Sequence, residues 1–372
     1  MNEDHGIFRM LGIKQKVQKN INILIKLLPV FSFAVPFLIL YLDRQTTILY
    51  YSFEMTWKGR TFYIFFLWLA LLEMILSWDA LQSIKANKLR SVRTVVFLLA
   101  LLLPSVYLIA SNYYSFPSRA IIDWSWRIGI DQPDWIPLDV EYFVLAALFT
   151  LIVWLQYGVK GLKNILISPV FLATIGTIYT IDNIYRYGSF TPFQIFVPTT
   201  AMLAARVLNF LGYQTQLSLS GSMPTLYAYV ANSTLGWGAQ IAWPCSGVES
   251  LLIYTVTILL FLKKSAFSLA QRVTYFVIGA TVTYIINVLR IATIFIIAIN
   301  TGGYYTGSEA QQFHDFYGQL YSIIWIISYP LIIIGSHVLW ERFRNRKTIA
   351  LVRPDLPDES ARDSILHATN SG

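Results

Sequence analysis

The chain has 372 residues, of which 56% are hydrophobic, 16% aromatic and only 13% charged, and its mean hydropathy is +0.55. A soluble domain carries roughly 25% charged residues, so the composition excludes a water-soluble globular fold and points to an all-α polytopic membrane protein. The net charge of +8 fits Lys and Arg held on the cytoplasmic side of a membrane, with no nucleic-acid partner, and a single cysteine excludes an intramolecular disulfide framework or a multi-cysteine zinc site. No cofactor or metal is expected.

Residues 1–26 form a basic N-terminal segment containing Lys14, Lys16, Lys19 and Lys26, expected in the cytoplasm. The apolar run Leu27–Leu42 follows it. Asp43-Arg44-Gln45 comes next in place of a small-residue cleavage site, so this run reads as an uncleaved first span. Further apolar runs lie at Thr61–Trp78, Thr94–Ser111, Val140–Tyr157, Leu162–Ile181, Phe193–Leu211, Cys245–Leu262, Val273–Asn300 and Phe313–Trp340. Several reach the roughly 20 residues needed to cross a hydrocarbon core of about 30 Å.

Charge decides which runs cross. Basic residues cluster at Lys85, Lys88, Arg90 and Arg93, at Lys160 and Lys163, at Lys263, Lys264 and Arg272, and at Arg342, Arg344, Arg346 and Lys347. All of these belong on the cytoplasmic side. They land there only if one run does not span. Phe193–Leu211 is the natural choice, because it carries Pro198, Thr199, Thr200, Arg206 and Asn209, and Arg206 and Asn209 share a face as on an interfacial helix. About eight transmembrane helices remain, with both termini cytoplasmic. Residues 27–181 are then the first five transmembrane helices, and 182–243 are an extracytoplasmic interfacial helix and loop. Residues 244–340 form a three-helix core, and 341–372 a disordered cytoplasmic tail, its Arg353–Gly372 part rich in Pro, Asp, Ser and Arg.

Within the outer loop, Leu226–Val230 sets Tyr227 and Tyr229 on one face of an extended chain. With Gly236-Trp237-Gly238 as the turn, it predicts a short β-hairpin. Asn232-Ser233-Thr234 is a glycosylation sequon, in keeping with exposure.

Three residues at the outer ends of the last three spans carry chemistry. Cys245 is the only cysteine, at the start of a membrane helix, where unpaired N–H groups and the helix dipole favour a thiolate. Counting about 20 residues from the inner end of its span puts the outer boundary near Ala292, so Arg290 lies just inside the outer leaflet. His314 opens the last span on the same side. Together they make a nucleophile, an anion stabiliser and a proton carrier. Each also has an ordinary reading: an inert small hydrophobe, a snorkelling cation and an interfacial anchor. Glu249 is placed to pair with Arg290 or to stay protonated, and Asn287, one turn from Arg290, is placed to orient its guanidinium. Glu73, midway along the second span, is an intramembrane carboxylate with no evident partner.

These residues stand in a pattern that resembles the exosortase/archaeosortase family. It comprises Cys245-Ser246-Gly247 with Ser250 following, Asn287-Val288-Leu289-Arg290, and His314-Asp315-Phe316-Tyr317-Gly318. The resemblance runs from about Thr191 to Trp340. It implies a multi-pass membrane cysteine transpeptidase with Cys245, Arg290 and His314 catalytic and Asn287, Ser246, Gly247, Glu249, Ser250 and Gly318 supporting. Its partners would be secreted proteins with a tripartite C-terminal sorting signal, and the acceptor a membrane lipid or envelope component. His314 is the exosortase form of the third motif. Glu249 departs from the basic or neutral residue the family would carry there, and Val248–Ile253 looks more like the archaeal, thaumarchaeosortase-type branch. The alternative is a transporter or polysaccharide-export component that binds substrate non-covalently through Glu73, Glu249 and Arg290.

Overall fold

The computed structural model describes residues 2–43, 51, 53, 58–81, 92–185, 194–220, 223–265, 267–302 and 309–351. The loop carrying Lys85, Lys88 and Arg90, the residues Arg44 and Gln45, the start of the interfacial run at Phe193, and the tail from 352 onward lie outside the described residues. Residues 1–324 make one compact unit and 325–372 another.

The helices are α1 (Asn2–Leu42), α2 (Thr61–Leu76), α3 (Val92–Tyr113), α4 (Ser118–Arg127), α5 (Ile136–Asn164), α6 (Ile167–Ile184), α7 (Val197–Phe210), α8 (Val248–Lys264), α9 (Leu269–Asn300), α10 (Glu309–Gln312) and α11 (Gly318–Leu351). Among the described residues, six helical segments are long and apolar enough to cross a membrane. They are Asn20–Leu42, Val92–Tyr113, Pro133–Asn164, Ile167–Ile184, Leu269–Asn300 and Glu309–Trp340. The other two expected spans, α2 and α8, are shorter, at 16 and 17 residues. α7 has 14 residues, about 21 Å at 1.5 Å per residue, and is the shortest of these three helices, each of which falls below the thickness of the hydrocarbon core. α11 runs past the expected boundary at Trp340 to Leu351. Glu341, Arg342 and Arg344 are strong helix formers that continue it.

The core of the first unit is aromatic. Phe33 on α1 packs edge-on against Phe66 of α2 and Phe149 of α5, with ring centroids 5.4 Å apart in both pairs, and Phe37 stacks on Tyr63 at 4.5 Å. Apolar surface alone does not bring helices together in lipid, so polar ties matter. Glu73, for which the sequence offered no partner, accepts from the backbone N–H groups of Ile167 at 3.0 Å and Ser168 at 2.9 Å. It thereby caps the otherwise unpaired N-terminus of α6. Arg93 serves the opposite polarity, donating to the carbonyls of Leu155 at 2.8 Å and Trp154 at 3.1 Å on α5.

A second tie is fully buried. Arg60 grips Glu141 through Nε at 2.9 Å and Nη2 at 3.1 Å, and Nη2 also donates to Asn112 Oδ1 at 2.6 Å. Tyr63 donates to the same carboxylate at 2.6 Å. The cluster locks α2, α3 and α5 together.

The segment between α7 and α8 is a three-stranded antiparallel meander in place of the expected single hairpin: β1 (Tyr213–Ser218), β2 (Thr225–Val230) and β3 (Gly236–Gln240). Gly236-Trp237-Gly238 is strand and not turn. Its glycines oppose Tyr229 and Tyr227, whose rings lie across the partner strand where a Cβ would overlap them. The turn is the exposed Ala231–Leu235, so the sequon at Asn232 sits at its tip.

Candidate active site

Trp243–Ser246 forms one 3-10 turn, with Pro244 in its first positions and the Cys245 N–H donating to the Ala242 carbonyl at 3.0 Å. The turn ends at Gly247, whose φ of +89° is left-handed, and α8 begins only at Val248. Cys245 therefore lies in the turn before the helix, not in the first helical turn itself. Gly247 is needed twice over. Its backbone conformation strains any L side chain, and a Cβ would come within 2.9 Å of Asn287 Nδ2.

That close approach explains the second motif. Asn287 Nδ2 donates to the Cys245 carbonyl at 2.9 Å. It does not orient Arg290, as the spacing on α9 had predicted, because the missing side chain at position 247 lets it reach the Cys turn. Thr200 on α7 donates to the Ser246 carbonyl at 3.2 Å, and buried Ser246 closes the turn through its own Oγ to the Trp243 carbonyl at 2.5 Å. Ser250 is half-buried in the first turn of α8.

His314 faces the thiol. Its Nε2 lies 3.8 Å from Cys245 Sγ, and its Nδ1 lies 2.8 Å from Asp315 Oδ1. Phe313–Tyr317 is a π-helical turn between α10 and α11, a local widening of the kind that recurs at functional sites. The His314 and Asp315 side chains are 28% and 33% exposed, so the pair is reachable from outside the protein. In the Cys245 turn, burial pushes the thiol up, but the hydrogen bond to His314 and the charges of His314 and Arg290 more than offset it. The net effect holds the thiol below its ordinary value.

Arg290 joins the same centre from α9. Its Nη2 donates to the His314 carbonyl at 2.9 Å. A Cβ on Gly318 would sit 2.9 Å from Arg290 Nε, so the glycine that closes the third motif is the space through which the guanidinium passes. Arg290 Nε has no hydrogen-bond partner, nor has Glu249 Oε1 or Asn287 Oδ1, among the described residues. No ion pair joins Glu249 to Arg290, the first of the two readings open to Glu249 from the sequence. The reason is that the guanidinium is drawn to the π-turn carbonyl.

All three motifs thus meet, and Cys245, Arg290 and His314 share one locus. Asp315 was missed by sequence reasoning, although a carboxylate directly after the histidine was its signal. Among the described residues no group of three or more His, Cys, Asp or Glu side chains is placed to hold a metal. No curated protein and no solved structure matches the chain. The family model for transmembrane exosortases matches residues 55–331, well over half of the chain and including every residue of this site. By that match, with Cys245, Arg290 and His314 gathered at one place, the protein is a member of the transmembrane exosortase family.

Proposed function

We propose that this protein is a membrane-embedded cysteine transpeptidase that cuts the C-terminal sorting signal of secreted proteins and passes the new C-terminus to a lipid or envelope acceptor. Family membership supports a membrane-embedded sorting transpeptidase in general. The observation that carries the chemistry is the 3.8 Å approach of His314 Nε2 to Cys245 Sγ, with Asp315 on the other ring nitrogen.

The Cys245 thiolate attacks the scissile carbonyl carbon, and the tetrahedral oxyanion takes donors from the terminal N–H groups of Arg290, one of which also holds the His314 carbonyl. The C–N bond breaks as His314 gives its proton to the leaving amine, and a thioester remains on Cys245. The acceptor nucleophile then loses its proton to His314, attacks the thioester and expels the thiolate. Asp315 accepts from Nδ1–H, which keeps Nε2 turned to the sulfur and stabilises the imidazolium. Asn287 and Thr200 hold the Cys turn by its carbonyls. The positions of the basic loops support a site on the extracytoplasmic face with both termini in the cytoplasm, and the Val248–Ile253 run favours the archaeal branch of the family.

The test is to co-express the full chain with a secreted reporter ending in a short polar motif, an apolar helix and a basic cluster. A hydroxylamine-sensitive acyl adduct on Cys245 is the expected result. Reporter processing that continues in Cys245→Ala would end the reading.

A further inference from the structure

The Cys245 turn is held from a third side, by residues the motifs do not include. Trp243, two residues before the thiol, is 2% exposed, and its indole N–H donates to Asp182 Oδ1 at 3.1 Å. Asp182 lies in the last turn of α6 and is itself 3% exposed. Its other oxygen, Oδ2, is 3.0 Å from the ammonium of Lys58, which is 5% exposed and also donates to Gln132. Behind this chain, Asn183 donates to both oxygens of Asp139 at 3.0 and 2.9 Å, and its carbonyl receives the Gln132 N–H at 3.3 Å.

A buried ion pair is costly to build and rarely worth its desolvation as a source of stability alone. Here it ends on one indole N–H at the mouth of the catalytic turn. Asn287 and Thr200 fix the carbonyls of Cys245 and Ser246 from α9 and α7, but neither fixes where the turn begins.

We infer that Lys58, Asp182 and Trp243 are positioning residues through which the first helices of the chain set the Cys245 thiol against His314. Freed of the aspartate, the indole can swing, the 3-10 turn can roll about its remaining carbonyl contacts, and the sulfur leaves His314 Nε2. Misplacement on the order of 1 Å costs about 100-fold in rate. The inference rests on the proposed transpeptidase reading for its kinetic arm only.

Three variants test it in the full chain: Trp243→Phe, Asp182→Asn and Asp182→Ala. Each is scored by membrane insertion, by kcat and KM on the tripartite reporter, and by the rate at which iodoacetamide labels Cys245. Trp243→Phe should lose about 10- to 100-fold in kcat with KM within about twofold, and its labelling rate should fall, because the thiolate loses its imidazole partner. Asp182→Asn keeps an oxygen for the indole and should retain a clearly larger share of both rates than Asp182→Ala. Wild-type kcat and labelling in Trp243→Phe would overturn the proposal, as would equal rates in the two Asp182 variants. Failure of both Trp243→Phe and Asp182→Ala to insert would also overturn it, since the contact would then determine the fold and not the turn. Labelling needs no transpeptidase chemistry, so if Cys245→Ala proves active the positioning claim is still decided by the iodoacetamide rates.

Discussion

Two polar clusters sit among the apolar helices, and they differ in what they leave undone. Around Arg60 and Glu141 the carboxylate accepts from Arg60 twice, from Tyr63 and from Asn112. Both charged residues are at most 1% exposed. Around Cys245 the imidazole and its carboxylate are about a third exposed, and Arg290 Nε, Glu249 Oε1 and Asn287 Oδ1 have no partner among the described residues. Intramembrane charge is therefore not a sufficient mark of function. A cluster matched internally ties helices together, whereas the Cys245 cluster keeps an imidazole and a carboxylate within reach of the exterior.

That contrast can be broken or sharpened by experiment. Cys245→Ala and Cys245→Ser should both abolish reporter processing while leaving insertion unchanged, the largest effect expected anywhere in the chain. Glu141→Ala should cost roughly 3–5 kcal/mol of stability by stranding buried Arg60, read as a loss of thermal stability in detergent. Iodoacetamide labelling of Cys245 in the surviving folded protein should be unaffected. The double variant Arg60→Leu with Glu141→Leu should be less damaging than Glu141→Ala, and equal damage would argue that the cluster does more than tie helices. Arg290→Lys should lower kcat by on the order of 100- to 1,000-fold at similar stability, since one point charge replaces a fork of donors. Asp315→Asn should cost on the order of 10- to 100-fold, because the amide can offer Nδ1 a proton and turn the wrong tautomer toward the sulfur.

The smallest effect is a shift along the pH axis. His314 and Arg290 hold the Cys245 thiol below its ordinary value against the opposing pull of burial. In His314→Gln the imidazole contribution is lost and burial gains weight. The pH at which labelling rises should then move upward, and an unchanged profile would mean that the 3.8 Å contact does not set the thiolate.

Much of the site was legible in the sequence because its motifs encode close approach. Gly247 leaves room for Asn287, Gly318 leaves room for Arg290, and each spacing brings one polar group to one turn. Six of the membrane helices were legible from hydropathy. What escaped were contacts between residues far apart in the chain. The Trp243–Asp182 bond spans 61 positions and the Glu73 cap 94, and no periodicity reports such pairs. The third strand escaped for a different reason: glycines beneath tyrosine rings look locally like a turn, and only the cross-strand register shows that they are spacers. Asn287 meets the Cys245 carbonyl and not Arg290 because helical spacing measures neighbours on one helix and is blind to a facing turn.

The hydrogen bond from Arg290 to the His314 backbone has a consequence for anyone dissecting this centre. The guanidinium is both a candidate tool and the bracket on which another tool hangs. Losses measured for Arg290 and His314 singly should therefore sum to more than the loss in the pair.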